Sequence, residues 1–381
     1  MVVIGNLVVG SLIMVLIHVA NPIQYFELFV YCFISQVLYT VMQNVIRGFG
    51  DNILFSLAGF IQMSSAVLIN LVLILGLGFK GDSILIAQGT SQLLATGVII
   101  FRDKLWKYIS FRAFSKDRLK KLVAYSLPLI PNEISWWIAN ASDRFLILLY
   151  LGSSFNGIYA AANKIPNIFV TFYSVFNTAW IESASRTVKD DDREVFYNDM
   201  ISTSYRFFGC LCIGIICSMS LAFPYLIGDA YAEAYPHVYI LTLAIFVNSM
   251  CSMYGGIFTA LKQSKIIGTT TVYGAVANII INFVMIRSVG LYAASLSSLI
   301  SYLIVLAVRL IRLKKYIKLE MPIRYFVRAV MALILVTFGY VIRNNIVNAV
   351  ILTFMFVWSY FENKNVINGM VKAVIVKIKA R

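Results

Sequence analysis

The sequence predicts an all-α polytopic membrane protein of about twelve transmembrane helices. Three observations predict it. The 381 residues are 60% hydrophobic and only 13% charged, about half the charge of an ordinary soluble domain. The mean hydropathy is +0.82. The apolar residues fall in blocks of the length that a bilayer requires, roughly 20 residues each, with Lys and Arg gathered between them.

In chain order the blocks are 2–20, 24–46, 52–77, 83–101, 122–150, 155–182, 198–223, 236–261, 266–286, 291–308, 324–342 and 346–361. Met1–Ala20 lacks a basic leader and a small-residue cleavage site, so it reads as a span and not as a signal peptide. The formal net charge is +15, from 32 Lys plus Arg against 17 Asp plus Glu. Because these charges sit in short runs beside apolar blocks, they are juxtamembrane charges and not a nucleic-acid stripe. With Met1 cytoplasmic and the loops alternating, the cytoplasmic side holds Arg47, the run Arg102 to Lys121, Arg186 to Arg193, Lys262, Lys265, Arg309 to Arg328 and the basic tail. The outer side keeps Lys80, Arg287 and Arg343. That asymmetry predicts a multi-pass protein of the bacterial inner (cytoplasmic) membrane with both termini cytoplasmic.

Cys32, Cys210, Cys212, Cys217 and Cys251 all lie within apolar blocks, without the spacing of a metal site or a disulfide framework. They read as small hydrophobes, and no metal or cofactor is expected. Every predicted loop is about 20 residues or shorter, with no paired carboxylates set among polar residues. That pattern argues against an enzyme such as a membrane polysaccharide polymerase or glycosyltransferase.

A weak internal repeat sets the expected organisation. Leu68-Ile69-Asn70 through Gly78 aligns with Ile280-Ile281-Asn282 through Gly290. The offset spans six helices, so the two copies are parallel repeats. Run backwards, the same offset leaves the first copy without its opening two helices. The expected division is 1–103, a partial N-terminal lobe of four helices; 104–121, a basic cytoplasmic linker; 122–313, a C-terminal lobe of six helices; and 314–381, an extra helix pair with a basic tail.

Three cations, Arg144, Lys164 and Arg206, fall inside predicted spans. The span 122–150 starts with Pro128 and Pro131, which suit a kinked start. Asn132/Glu133, Trp136/Trp137, Asn140 and Asp143/Arg144 then recur every three to four residues, on one helical face. The next helix carries Asn156, Tyr159, Asn163/Lys164, Asn167, Thr171, Ser174, Thr178 and Glu182 at the same period. A turn at Gly152-Ser153-Ser154 makes the two helices antiparallel neighbours. It sets Asp143, Arg144 and Lys164 at similar depth, roughly 10–15 Å from the turn. Charges at that depth face protein or water. Two readings stand side by side. In one, Asp143 pairs with Arg144 or Lys164 as interhelical glue. In the other, a hydrated groove with surplus positive charge holds an anionic head group, a diphosphate above all, through charge-assisted hydrogen bonds. Glu182 reads as a solvated boundary residue, Asp190-Asp191-Asp192 as a solvated loop, and the run Arg309–Lys318 as a contact for anionic lipid head groups.

The stretch Tyr125-Ser126-Leu127-Pro128-Leu129-Ile130-Pro131-Asn132, continuing through Asn140-Ala141-Ser142-Asp143-Arg144-Phe145 to Tyr150-Leu151-Gly152, resembles the seventh helix of Wzx-type polysaccharide flippases. Gly157-Ile158-Tyr159-Ala160-Ala161-Ala162-Asn163-Lys164-Ile165-Pro166 and Ala179-Trp180 resemble their eighth helix. Pro224-Tyr225-Leu226-Ile227-Gly228 with Ala234-Tyr235-Pro236 is similar to the loop before the tenth. The resemblance covers nearly the whole chain and is strongest over residues 125–290. It implies membership of the multidrug/oligosaccharidyl-lipid/polysaccharide exporter superfamily, whose two six-helix lobes surround a central cavity. On that plan this chain is expected to lack the first two helices. The implied activity is translocation of an undecaprenyl-diphosphate-linked oligosaccharide, such as an O-antigen or capsule repeat unit, by alternating access, with ion or proton coupling. Membrane lipids, a polysaccharide polymerase and a chain-length regulator are the implied partners. The expected substrate-binding residues are Arg144, Lys164, Arg206, Asn140, Asn163 and Asn167, and those expected for ion coupling are Asp143, Glu133 and Glu182. A drug exporter of the same superfamily shares the fold but is expected to use an acidic cavity.

Overall fold

The computed structural model describes residues 22–79, 82–108, 115–126, 130–318, 320 and 323–379. The first predicted span, 2–20, lies outside them. The described residues form helices and connecting turns: α1 (Pro22–Phe49), α2 (Asn52–Leu77), α3 (Asp82–Arg102), α4 (Lys116–Ser126), α5 (Ile130–Tyr150), α6 (Ser153–Thr187), α7 (Arg193–Leu226), α8 (Tyr235–Ala260), α9 (Ser264–Val289), α10 (Tyr292–Leu313), α11 (Ile323–Ile342) and α12 (Asn345–Lys379). Short 3-10 turns cover Leu105–Lys107 and Asp229–Ala234. Over the span predicted at 122–150, α4 runs to Ser126 and α5 starts at Ile130. Residues 127–129, Pro128 among them, lie outside the described residues, and Pro131 falls in the first turn of α5.

Nine of the described helices are long and apolar enough to cross a membrane. At 21 and 35 residues, α5 and α6 are also long enough, about 31 and 52 Å at 1.5 Å per residue. They fall outside the nine because a polar residue at nearly every turn lowers their hydropathy. The chain is an all-α, multi-pass membrane protein.

Residues divide into two compact units, Met1–Leu127 and Pro128–Arg381. In the first, α3 packs on both α1 and α2. Its small core is Tyr39, Ile46, Leu54, Ala58, Ala95, Ile99 and Leu105. Asp51 caps α2 by accepting from the Leu54 amide at 2.8 Å, as an N-terminal orphan amide requires. The outward face of α2 is apolar, with Phe60 70%, Met63 72% and Leu75 76% exposed. Such a surface suits hydrocarbon, because the backbone bonds are satisfied within the helix.

In the second unit α8 is central, packed on α6 and α10, while α9 packs on α10 and α5, and α11 and α12 pack on α7. Trp180 of α6, 1% exposed, donates its indole N–H to the Met253 carbonyl of α8 at 2.8 Å. A Cβ at Gly256 would lie 2.5 Å from that indole, so the close approach of these helices requires glycine there. The α5–α6 turn passes through Gly152 at φ +96°, which a residue with a side chain adopts only under strain. The five thiols are free, and four of them are buried.

Candidate functional site

Adjacent residues on α5 have opposite surroundings. Asp143 is 4% exposed, whereas Arg144 is exposed. The Asp143 carboxylate accepts from Asn282 Nδ2 of α9 at 2.7 Å, from the Ser298 hydroxyl of α10 at 3.1 Å and from the Tyr159 hydroxyl of α6 at 3.2 Å. Four helices therefore converge on one carboxylate. All three donors are neutral and buried. The alternative in which Asp143 pairs with Arg144 or Lys164 does not hold: among the described residues the ion pairs are Arg186–Glu182 and Arg328–Glu362.

A carboxylate out of water and without a cation is costly, by several kcal/mol even after relaxation. Two buried amide oxygens on α9, Asn278 Oδ1 and Asn282 Oδ1, also lack a hydrogen-bond partner. Asn278 is anchored through its Nδ2, which donates to Ser297 at 3.2 Å. Carboxylate and amide oxygens together form an acceptor-rich pocket with a single formal charge. Chemically that suits a proton or a small monovalent cation, since a divalent ion would call for further carboxylates. Among the described residues no group of three or more His, Cys, Asp or Glu is placed to hold a metal ion.

Lys164, Asn167, Thr171, Ser174, Thr178 and Glu182 of α6 are all exposed, while Ile158, Ala162, Ile165, Phe169, Tyr173 and Trp180 of the same helix are buried. The predicted polar stripe is thus the face of α6 turned away from the unit's own core. Its hydroxyls bond back along the helix, Thr171 to the Asn167 carbonyl and Thr178 to the Ser174 carbonyl. The half-buried Asn163 donates to the Tyr159 carbonyl. Arg206, on α7, is half-buried and donates Nε to the Ser202 carbonyl at 3.3 Å. Glu182 makes an exposed pair with Arg186 one turn on. The side chains of Glu133 and Asn140 lie outside the described residues, although both positions are on α5.

Sequence reasoning missed the neutral half of the Asp143 network. Asn282 stood out only as a repeat marker, and Asn278, Ser297 and Ser298 not at all. The available signal was Asn278 and Asn282 one helical turn apart in an otherwise apolar block. Arg309 is a correction. It is not a head-group contact but is 3% exposed, with Nε donating to Thr270 at 3.0 Å, Nη1 to the Cys251 carbonyl at 2.6 Å, and Nη2 to Thr271 at 3.0 Å and the Ile267 carbonyl at 3.4 Å. The physical reason is direction. Helical side chains lean toward the N-terminus, so Arg309, four residues before the end of α10, reaches back into the bundle.

Comparisons with known proteins place this architecture. The family described as "Polysaccharide biosynthesis protein" matches residues 2–236. An uncharacterized membrane protein of Methanocaldococcus jannaschii is 22% identical over 305 residues, covering 75% of this chain and 71% of that one. Among solved structures, the lipid II flippase MurJ in an inward closed conformation aligns with TM-score 0.69 at 14% identity, over 96% of this chain and 82% of its own. A MATE transporter in complex with MaD3S aligns with TM-score 0.66 at 15% identity, over 82% and 75%. An outward-facing multidrug resistance MATE transporter of the MOP superfamily gives 0.63 at 16%, over 77% and 70%. At such identities these likenesses speak for the fold alone, the one that MurJ and the MATE proteins share. With the family match covering most of the chain, the protein belongs to the polysaccharide biosynthesis protein family.

Proposed function

We propose that the protein is a Wzx-type flippase that moves an undecaprenyl-diphosphate-linked oligosaccharide across the bacterial inner membrane by alternating access, with both termini cytoplasmic. The observation that carries this reading is the polar face of α6, headed by Lys164 and turned away from its own hydrophobic core. The charges of Lys164 and of Arg144 on the neighbouring α5 cannot lie against acyl chains without a cost of several kcal/mol, so they require water or a polar cargo. Exposed Arg144 and Lys164 supply the positive charge that a diphosphate needs, through several charge-assisted hydrogen bonds. Arg206 has a lesser part, because its guanidinium is already engaged with its own helix.

Asp143 is the coupling residue in this proposal, and Glu182 is not, being paired and exposed. Uptake of a proton or a monovalent cation neutralises the buried carboxylate and ties α5, α6, α9 and α10 together. Release leaves an unbalanced charge that the packing cannot hold unchanged. Binding and helix arrangement are thereby linked, which is the thermodynamic requirement for a coupled transporter.

The test is complementation of a flippase-deficient host. Arg144→Ala and Lys164→Ala should each abolish surface polysaccharide while the protein remains in the membrane. Wild-type polymer levels in both variants would refute the assignment. A second reading, export of small molecules, is favoured by the likeness to multidrug transporters. It predicts reduced drug accumulation in cells expressing the protein, with the surface polymer unaffected by either substitution.

A further inference from the structure

The first unit carries a neutral polar side on α1 that is distinct from its apolar exposed side. On α1 the residues Ile34, Leu38, Val41 and Val45 are exposed and apolar, and their spacing places them on one side of the helix. Tyr39 and Ile46 face the unit's core. A third side carries Gln36, Thr40, Gln43 and Asn44, with Thr40 and Asn44 exposed and the two glutamines half-buried. At about 100° per residue Gln36, Thr40 and Gln43 lie about 100° or more from every residue of the apolar exposed side, with Asn44 at the margin between the two.

The polar side continues onto α3. Gln92, 1% exposed, donates Nε2 to Gln36 Oε1, and Gln36 Nε2 donates to the Thr40 hydroxyl at 3.1 Å. Asn44 donates to the Thr40 carbonyl at 2.8 Å. Beside this ladder, Tyr31 and Thr90 share a hydrogen bond at 3.0 Å. The Gln92 carbonyl oxygen is buried and has no partner. Simple interhelical glue would end with its polar atoms satisfied and enclosed. This ladder instead ends on exposed amide and hydroxyl groups, with one acceptor unused.

Each of these groups is neutral, and the amides and hydroxyls both donate and accept. That is the complement of a sugar, whose hydroxyl and acetamido groups do the same, and not of a phosphate, which demands cations. We propose that Gln36, Thr40 and Asn44 of α1, braced from behind by the buried Gln92 of α3, form a carbohydrate-binding face that takes the sugar portion of the cargo. The proposal rests on the flippase reading and names a second, neutral recognition surface within it.

The test uses the full chain in nanodiscs with two probes, undecaprenyl diphosphate and the same lipid bearing N-acetylglucosamine. The wild type should bind the sugar-bearing lipid about tenfold more tightly. Gln92→Leu and Gln36→Leu should each remove most of that preference while leaving affinity for the bare lipid unchanged, a change in line with the loss of one or two hydrogen bonds. Should Gln92→Leu fail to fold, Thr40→Val at an exposed position carries the same expectation. Equal affinity of the wild type for the two lipids would overturn the proposal. So would variants that weaken both lipids in parallel, or that lower thermal stability with the sugar preference intact, since the face would then be a helix contact. Binding of neither lipid would instead overturn the flippase reading on which it stands.

Discussion

Asp143 and Arg309 are both buried in the second unit, and among the described residues neither has an ionic partner. Their surroundings differ in one respect. Each of the three guanidinium nitrogens of Arg309 is used, by two threonine hydroxyls and two backbone carbonyls, so its shell is closed. Asp143 has three neutral donors, and beside it are two amide oxygens with nothing to accept. The closed shell ties α8, α9 and α10 into one block. The open shell leaves capacity for something that comes and goes. Burial alone does not mark a functional charge; unused hydrogen-bonding capacity around it does.

The largest effect should come from breaking the closed shell. Arg309→Leu removes the donor that Thr270, Thr271 and the Cys251 carbonyl share across three helices, with an expected loss of about 3 kcal/mol or more, since each hydrogen bond to a charged group contributes about 1.5–3 kcal/mol. Fluorescence-detected size exclusion should then show little folded protein, and a normal profile would contradict the structural role. Next comes Asn282→Ala, which removes the shortest bond to the carboxylate and should cost about 1.5–3 kcal/mol, read as a lowered melting temperature in detergent. Asp143→Asn sharpens the contrast. It keeps the shape and discards the charge, so stability should change by only about 1 kcal/mol or rise, while polysaccharide export falls to background. Export at the wild-type level in this variant would remove Asp143 from the mechanism. The smallest change is expected from Glu182→Gln, which breaks an exposed i, i+4 pair worth about 0.3–0.5 kcal/mol and should leave export intact.

The helices were legible in the sequence because a span has a length and a hydropathy that single residues do not disturb. The exposed polar stripe of α6 was legible for the related reason that a recurrence every three to four residues is a geometric statement. Other parts were not legible. Whether Asp143 met a cation or one amide and two hydroxyls depended on which helices pack against α5, and helix pairing leaves no local trace in sequence. Asn282 showed only as a repeat marker and Asn278 not at all, because a lone amide in an apolar block does not say what it bonds. Arg309 lay so near a helix end that interfacial placement was the simpler reading, and only the packing of α8 and α9 around it shows otherwise.

The polarity of α5 and α6 also bears on how the chain is made. Taken singly, neither presents the uninterrupted apolar stretch on which membrane insertion depends, and charges near a helix centre weigh against it. The sharp reversal at Gly152 offers a route, because two such segments can partition as a hairpin that covers its hydrophilic groups internally. Protein synthesis halted after α5 should leave that segment outside the bilayer, whereas extension through α6 should bring both in together.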